Sequence, residues 1–244
     1  MKISVVIPAK DESENIDPLV AEIHRAVDGV VPFQVIVVDD GSTDGTGDVA
    51  LKTGERLGCE VKCVRHQHSV GQSTAVLTGV RHADGEWIVT MDGDGQNDPA
   101  DIPAMIECAK TMKNNIFCIA GYRKARKDTP WKRFQSKLAN RVRDALLHDG
   151  CPDTGCGLKL FPRSTFLSLP YFDHMHRFLP ALIRSQGGDV EVVVVSHRDR
   201  QRGQSKYSAW NRVWVGIVDL FGVMWLQRRA KVPVIARVDD TKAG

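Results

Sequence analysis

The sequence predicts an α/β fold in which a mainly parallel sheet is flanked by helices, and three observations support this. Short apolar runs alternate with helix-like segments at about 25–30 residues per unit, the spacing of strand–helix–strand units with right-handed crossovers. The run at residues 34–38 is apolar on both faces, as expected for a strand covered by helices on both sides. No repeat or low-complexity tract interrupts the alternation. The 244 residues suffice for one large domain with an appendage.

Hydrophobic periodicity and turn residues place the elements in order. Strands are predicted at residues 3–7, 34–38, 60–65, 86–91, 115–120 and 190–195, and helices at 13–27, 70–82 and 99–112. We expect Ser13 to cap the first helix, and Asn97 or Asp98 to cap the helix that Pro99 opens. Residues 153–161 form a glycine-rich bend leading into a further strand, and a short helix begins at His176. The α/β domain is therefore expected to span residues 1–208.

Acidic residues follow the predicted strand at 86–91. Asp92 and Asp94 alternate with Gly93 and Gly95, and the carboxyl ends of parallel strands are where such sheets bind ligands. Two close carboxylates suit a hard divalent metal ion that in turn holds phosphates, with Gln96 as the nearest further oxygen. A polar turn before a capped helix is the alternative. An EF-hand is excluded, because Asn97 stands where its loop needs Gly.

The other strand ends exclude two common nucleotide sites. The turn after the first strand is acidic and lacks glycine, which argues against a dinucleotide fingerprint, and no lysine follows Gly47, which excludes a P-loop. Asp39, at the end of the second strand, can hydrogen-bond a base or a ribose at the ligand edge. Asp44 either contacts a ligand or caps the helix that follows.

Charge and cysteine usage restrict the partners. The formal net charge is only +3, and no nucleic-acid motif accompanies it, so we expect no nucleic-acid partner. Basic residues crowd the segment 123–143, which is either a solvated helical face or a site for phosphate on a ligand or a lipid. The six cysteines contain no C-x-x-C pair, and the chain enters a strand pattern at its first residues, so reduced thiols and a cytoplasmic location are expected.

An apolar, aromatic segment at residues 209–226 precedes a basic tail, and together they form the C-terminal unit at 209–244. About 18 helical residues span about 27 Å, short of a ~30 Å hydrocarbon core, so a full membrane crossing is disfavoured. Its helical spacing predicts an amphipathic helix that lies in a membrane interface, packs on the core, or contacts a second subunit. The spaced residues are Trp210, Val213, Trp214, Ile217, Phe221, Met224 and Trp225.

Four motifs in order resemble the family 2 glycosyltransferases of the GT-A fold, specifically the branch of dolichyl-phosphate mannose synthase and bacterial polyprenyl-phosphate glycosyltransferases. They are VVIPAKDE at 5–12, VVDDGSTD at 37–44, DGDGQ at 92–96 and RQRGQSKY at 200–207. The resemblance implies a Rossmann-like GT-A catalytic domain over residues 1–208. It also implies a peripheral membrane enzyme that uses Mg²⁺ or Mn²⁺, a nucleotide-sugar donor and a polyprenyl phosphate acceptor.

The same resemblance implies roles by position. The nucleotide site would be lined by Pro8, Glu12, Asp39 and Asp92, and the metal would be held by Asp92, Asp94 and Gln96. The acceptor phosphate would be bound by Arg123 and Arg133. Catalysis would involve Asp92 and Asp94 together with Arg200 and Lys206, which would close on the donor phosphates. His176 and Arg177 match a pair in the family without an assigned role.

Acceptor chemistry separates the candidate reactions. A phosphomonoester has a second pKa near ~6 and is already anionic at neutral pH, so it needs arginines and no general base. We therefore expect inverting transfer of one sugar to polyprenyl phosphate at the cytoplasmic membrane face. Two alternatives stay open: transfer to a saccharide hydroxyl, and a non-catalytic module that binds membranes or anionic ligands.

Overall fold

Alternating strands and helices build the part of the chain that the computed structural model describes, which is residues 1–124, 140–198 and 209–231. The elements are β1 (Ile3–Ala9), α1 (Ser13–Val27), β2 (Phe33–Asp39), α2 (Thr46–Leu57), β3 (Val61–Arg65), α3 (Gln72–Arg81), β4 (Trp87–Thr90), a 3₁₀ turn (Pro99–Asp101), α4 (Ile102–Lys110), β5 (Phe117–Tyr122), α5 (residues 140–147), β6 (Lys159–Pro162), α6 (Arg163–Ser168), a second 3₁₀ turn (Met175–Arg177), α7 (Leu179–Ser185), β7 (Asp189–Val194) and α8 (Ala209–Arg229).

Within the described residues the strands form one seven-stranded sheet in the order β3-β2-β1-β4-β6-β5-β7. β1 pairs in parallel with β2 and β4, β2 with β3, and β5 with β7. Of the strands in the described residues, only β6 runs antiparallel, against both β4 and β5, after the glycine-rich bend reverses the chain. The prediction of a mainly parallel sheet is confirmed.

Apolar side chains on both faces of the sheet create two buried clusters. Val5 and Val35 belong to the cluster that contains residues of α1 and α4, whereas Val6 and Ile36, one residue along each strand, belong to the cluster that contains residues of α3 and α7. All four are fully buried. Burying such a side chain stabilises the fold by about 1.5–3 kcal/mol, so the two-faced apolar runs account for the central position of these strands.

Two local predictions need correction. Ser13 is the first residue of α1 and makes no side-chain cap; its backbone N–H instead donates to Asp44 Oδ2 at 2.9 Å. The fifth strand lies two residues later than the pattern at 115–120 predicts, so that Arg123 directly follows its end. The cap before Pro99 is Asp98, whose Oδ1 accepts the Ala100 N–H at 3.0 Å, and the helix there begins as a 3₁₀ turn.

Helix α8 presents apolar side chains in two directions. Val223 is fully buried, and Met224, one of the residues at helical spacing, is partly buried against the same cluster as α7, so this side of the helix packs on the core. Phe221 and Trp225 are 62% and 59% exposed on the other side. The side chains of residues 209–215 in this helix lie outside the described set. Among the described residues, no helix has the length and apolar content to cross a membrane.

Candidate active site at the carboxyl edge of the sheet

A cavity of about 500 Å³ opens where the parallel strands end. Its wall combines the end of β1, the start of α3, the turn after β4, the end of β5, the bend before β6 and the second 3₁₀ turn. The polar and charged residues on the wall are Gln72, Thr90, Asp92, Arg123, Asn140, Asp153, Thr154, Lys159, His176 and Arg177, and Pro8 lies beside them. The cavity therefore lies at the edge that the strand pattern predicts, with Pro8, Asp92 and Arg123 on its wall.

Asp92 is held firmly in this wall. Gln72 Nε2 donates to Asp92 Oδ1 at 2.7 Å, and the Asp92 N–H donates to Asn97 Oδ1 at 3.3 Å. Burial and then the negative charge of Asp94 raise the pKa of the Asp92 carboxyl to about 6, although the nearby positive charges of Lys159 and Arg123 act to lower it. Asp92 thus carries a repulsion that a bound cation would relieve.

Asp94 and Gln96 belong to the same loop but not to the cavity wall. Asp94 Oδ1 accepts the Gln96 N–H at 3.1 Å, and Asp94 lines a smaller void of about 60 Å³ next to α1. Among the described residues, no group of three His, Cys, Asp or Glu side chains is arranged to hold a metal ion. The two carboxylates and one amide are hard oxygen donors, and they fit a divalent cation that takes its other ligands from water and phosphate oxygens.

The loops after β1 and β2 are tied together by hydrogen bonds. The Glu12 N–H donates to Thr46 Oγ1 at 2.9 Å, and Glu12 Oε2 accepts from Asn15 Nδ2 at 2.6 Å. Asp39 is buried, and its Oδ1 accepts the Ser42 N–H at 2.8 Å. Glu12 and Asp39 therefore share the ligand edge with Pro8, outside the wall of the large cavity.

Asp44 is a structural residue. Its Oδ1 accepts the Thr46 N–H at 3.0 Å, at the start of α2, while its Oδ2 accepts the Ser13 N–H at the start of α1. Burial alone would raise the pKa of Asp44, but the hydrogen bonds from Thr46 and Ser13 outweigh it and lower the pKa to about 2. Asp44 thus binds the starts of both helices, although the N-cap residue of α2 is Gly45 and not Asp44.

Asp40, beside Asp39 in the sequence, has a different task. His66 Nδ1 and Ser69 Oγ each donate to it at 2.7 Å, and the N–H groups of Val70 and Gly71 donate at 3.0 Å. Burial acts to raise the pKa of Asp40, yet these bonds, led by that from His66, hold it below the ordinary value. Asp40 fixes the loop that brings Gln72 to Asp92.

The basic segment divides between the cavity and the core. Arg123 Nε and Nη2 donate to Asp153 at 2.7 and 2.9 Å, and both side chains are almost buried in the cavity wall. Arg143, included above in the basic segment, points inward, where its Nε donates to the fully buried Asp149 at 2.7 Å. Arg143 is therefore a core ion pair and not part of a surface anion site. The predicted residues Arg133, Arg200 and Lys206 lie outside the described residues.

Two cavity residues with clear contacts were missed or left without a role by the sequence pattern. Lys159 is buried, and its Nζ donates to the carbonyl oxygens of Thr154, at 3.2 Å, and Cys156. His176 Nδ1 is hydrogen-bonded to Ser73 Oγ at 2.7 Å, and burial, followed by the charges of Arg177 and Lys159, depresses its pKa well below the ordinary value. A lysine inside a short β-strand pattern was the available signal, since such a charge is buried only with partners.

Comparisons with known proteins agree on the family and the fold. The model of glycosyl transferase family 2 matches residues 4–169. Dodecaprenyl-phosphate galacturonate synthase of Rhizobium johnstonii is 35% identical over 236 residues, which cover 93% of this chain and 68% of the relative. Undecaprenyl-phosphate 4-deoxy-4-formamido-L-arabinose transferase of Edwardsiella ictaluri is 28% identical, covering 91% and 66%; that of Pseudomonas paraeruginosa is 30% identical, covering 85% and 60%. The chain thus spans about two thirds of the length of these relatives.

The fold is shared with solved structures of glucosyl-3-phosphoglycerate synthase from Mycobacterium tuberculosis. Its complex with Mn²⁺, UDP-glucose and glycerol 3-phosphate superposes with a TM-score of 0.66 at 19% identity, covering 96% of this chain and 81% of that one. Its complex with Mg²⁺ and UDP superposes with the same score. The sheet, its helices and the position of its carboxyl edge are those expected of a GT-A fold.

Proposed function

The chain belongs to glycosyl transferase family 2, and from that premise we propose that it transfers one sugar from a nucleotide-sugar donor to a polyprenyl phosphate. The transfer inverts the anomeric carbon and takes place at the cytoplasmic face of a membrane. The names of the curated relatives, which specify dodecaprenyl or undecaprenyl phosphate, support this acceptor class. The solved neighbours with bound UDP-glucose support the donor class.

One observation carries the choice of acceptor: the described cavity wall contains positive charge, and each of its two carboxylates already accepts hydrogen bonds from a neighbouring side chain. Its two carboxylates are Asp92, bound by Gln72, and Asp153, which forms a two-bond ion pair with Arg123. Transfer to a sugar hydroxyl calls for a general base on that hydroxyl. An acceptor phosphate is already ionised and needs cations, which Arg123 and Lys159 supply.

The chemistry follows from this charge distribution. An acceptor phosphate oxygen attacks the anomeric carbon as the bond from that carbon to the donor diphosphate breaks, and the nucleoside diphosphate leaves. Arg123 orients the attacking phosphate, with Asp153 fixing the plane of the guanidinium. Pro8, Glu12 and Asp39 hold the nucleoside, and Arg133, Arg200 and Lys206 complete the two phosphate sites. Fixed cations around the diphosphates stabilise the charge that develops in the transition state.

Asp92, Asp94 and Gln96 would hold a divalent metal ion, Mg²⁺ or Mn²⁺. When bound, the ion neutralises charge on the leaving diphosphate. The negative charge of Asp94, which adds to burial in raising the pKa of Asp92, supports this assignment, because a bound cation would relieve that repulsion. The solved neighbours that contain Mn²⁺ or Mg²⁺ support the class of metal.

The outward side of α8 supplies the membrane contact in this proposal. Its exposed apolar residues include Phe221 and Trp225, and exposed Arg228, Arg229 and Lys231 follow at its end. An aromatic face bordered by cations suits the interface of an anionic bilayer. Such a contact would bring the enzyme to an acceptor that is confined to the membrane.

A transfer assay tests the proposal. Purified protein is incubated with Mn²⁺, undecaprenyl phosphate and a panel of nucleotide sugars, and the products are separated from free sugar. We expect a glycosyl phospholipid with one donor, and loss of turnover for Asp94→Ala and in the presence of a chelator. A product on a sugar hydroxyl would reject the acceptor class, and donor binding without turnover would favour the non-catalytic module. Undiminished rates in chelator would refute the metal assignment.

A further inference from the structure

Arg198, two residues before the proposed donor-phosphate residue Arg200, joins two acidic side chains from distant parts of the chain. Its Nη1 lies 2.6 Å from Glu22 Oε2, and its Nη2 lies 2.7 Å from Asp98 Oδ1. Its Nε also donates to Asp98 Oδ2 at 3.2 Å. The planar fork of an arginine makes such paired contacts at defined angles. Arg198 thereby connects the exit of β7 to helix α1 and to the loop that follows β4.

Backbone contacts reinforce the same junction. The Arg198 N–H donates to the Gln96 carbonyl oxygen at 3.0 Å, and Asn97 pairs with His197 in an isolated antiparallel bridge. The Ser196 N–H donates to Asp101 Oδ2 at 2.7 Å. The residues after β7 therefore form a continuous support along the outer side of loop 94–98.

The supported loop is the one that carries Asp94 and Gln96. Arg198, Glu22 and Asp94 all line the small void of about 60 Å³ beside α1, so a change in the arginine alters the space directly behind this carboxylate. Asp94 Oδ1 accepts the Gln96 N–H, and the carbonyl of Gln96 in turn accepts the backbone N–H of Arg198, so the side chain of Arg198 acts on this loop through Asp98. Arg198 thus binds one side of the loop, and Asn97, in the same loop, accepts the Asp92 N–H on the other side.

A purely structural ion pair would explain less of this arrangement. The side chains of Arg198 and Glu22 are each about one third exposed, and ion pairs at that exposure usually stabilise a fold by less than ~1 kcal/mol. Groups behind metal ligands, by contrast, strongly affect metal affinity, because they fix the orientation of the ligands.

We propose that Arg198 is a positioning residue that holds loop 94–98 in its metal-binding conformation. The metal role of the loop rests on the proposed function; the support by Arg198 rests on the contacts above. We call the set of Arg198 and its two ion-pair partners, Glu22 and Asp98, the clamp.

The test measures metal binding without turnover. Mn²⁺ alone is titrated into the full chain, and binding is followed by the loss of the electron paramagnetic resonance signal of the free aquo ion. We expect Arg198→Met to weaken Mn²⁺ binding by about 10-fold, the lower end for the loss of groups behind metal ligands. Arg198→Lys should have an Mn²⁺ affinity between those of the parent and of Arg198→Met, because one ammonium group replaces the planar guanidinium that reaches both carboxylates. In the transfer assay, the Mn²⁺ concentration for half-maximal rate should rise more than the rate at saturating Mn²⁺ falls.

A matched control removes another ion pair from α1. Arg56 Nη2 lies 2.5 Å from Asp17 Oδ1 and joins α1 to α2, outside the loop after β4. Arg56→Met should leave Mn²⁺ binding within about twofold of the parent, given how little an exposed pair contributes. Thermal unfolding of each variant without metal separates loss of fold from loss of position.

The outcomes are distinct from those of the proposed function. Unchanged Mn²⁺ binding by Arg198→Met, with or without a lower unfolding temperature, would overturn the clamp, as would a parent chain that binds no Mn²⁺. Weaker Mn²⁺ binding by Arg198→Met in a protein that does not glycosylate undecaprenyl phosphate would support the clamp and reject the acceptor.

Discussion

A methyl group added at Gly157 should disable the site by displacing one carboxylate. A Cβ built on Gly157 would overlap the Asp92 carboxylate, coming within 2.6 Å even of Oδ1, its most distant carboxylate atom. Normal contact distances are about 3.5 Å, so the carboxylate must move by roughly 1 Å. The hydrogen bond from Gln72 to Asp92 would be lost with that movement.

The structure gives the size of the effect. A displacement of about 1 Å at a reacting group costs on the order of 100-fold in rate. We therefore expect kcat/KM of Gly157→Ala to fall about 100-fold, which corresponds to about 2.7 kcal/mol of transition-state stabilisation. The protein should stay folded, because the loss of one hydrogen bond costs only about 1 kcal/mol.

Gly155 provides the matched control in the same bend. A Cβ there would lie 3.4 Å from Arg123 Nη2 and 3.6 Å from Asp153 Oδ1, which are ordinary contacts. The assay is transfer to undecaprenyl phosphate with the active donor, accompanied by thermal unfolding of both variants. Gly157→Ala with near-parental kcat/KM, or equal losses in Gly155→Ala, would refute the placement of Asp92 at the reacting centre.

Three further outcomes are expected. Asp40→Asn should lower the free energy of unfolding by about 3 kcal/mol, because an amide leaves several of the donors around this buried carboxylate without an acceptor. Urea denaturation measures this change, and a loss below about 1 kcal/mol would contradict the role of Asp40. Replacing Phe221 and Trp225 together by Ser should reduce sedimentation with phosphatidylglycerol vesicles about 10-fold. Replacing the exposed Leu51 on α2 by Ser is the control and should leave sedimentation unchanged. Unchanged sedimentation of the double variant would favour a protein contact for this face of α8. Since the pKa of His176 is depressed in the folded protein, the unfolded state binds more protons between that pKa and 6.5, and stability should fall as the pH drops through this window. The midpoint of urea unfolding should fall less between pH 7.5 and pH 5.5 for His176→Gln than for the parent protein. An equal fall in the variant and the parent would exclude His176 as the cause.

The two-sided cover of the sheet, the ligand edge and the family could be predicted from the sequence, because each depends on residues that are close to one another along the chain. Strand runs that are apolar on both parities require cover on both faces of the sheet, and the structure confirms this for β1 and β2. The acidic residues after these strands must meet at one edge, since parallel strands end together. The order of the four motifs identified the family, which the family model confirms.

Neighbouring residues with similar chemistry could not be separated in this way. Asp39 and Asp40 are adjacent carboxylates at one strand end, yet Asp40 is surrounded by donors from the loop before α3. Arg123 and Arg143 belong to one basic segment, yet one lines the cavity and the other lies in the core. The distinction depends on which partners the fold brings to each side chain.

The sequence by itself determined the class of fold, the ligand edge and the family, because these depend on periodicity and on motifs a few residues long. Only the tertiary structure decided how the site is built. The ion pair of Arg123 with Asp153 spans 30 residues, and the contact of Arg198 with Glu22 spans 176. No local pattern encodes such contacts, because they form only when the sheet and its helices pack.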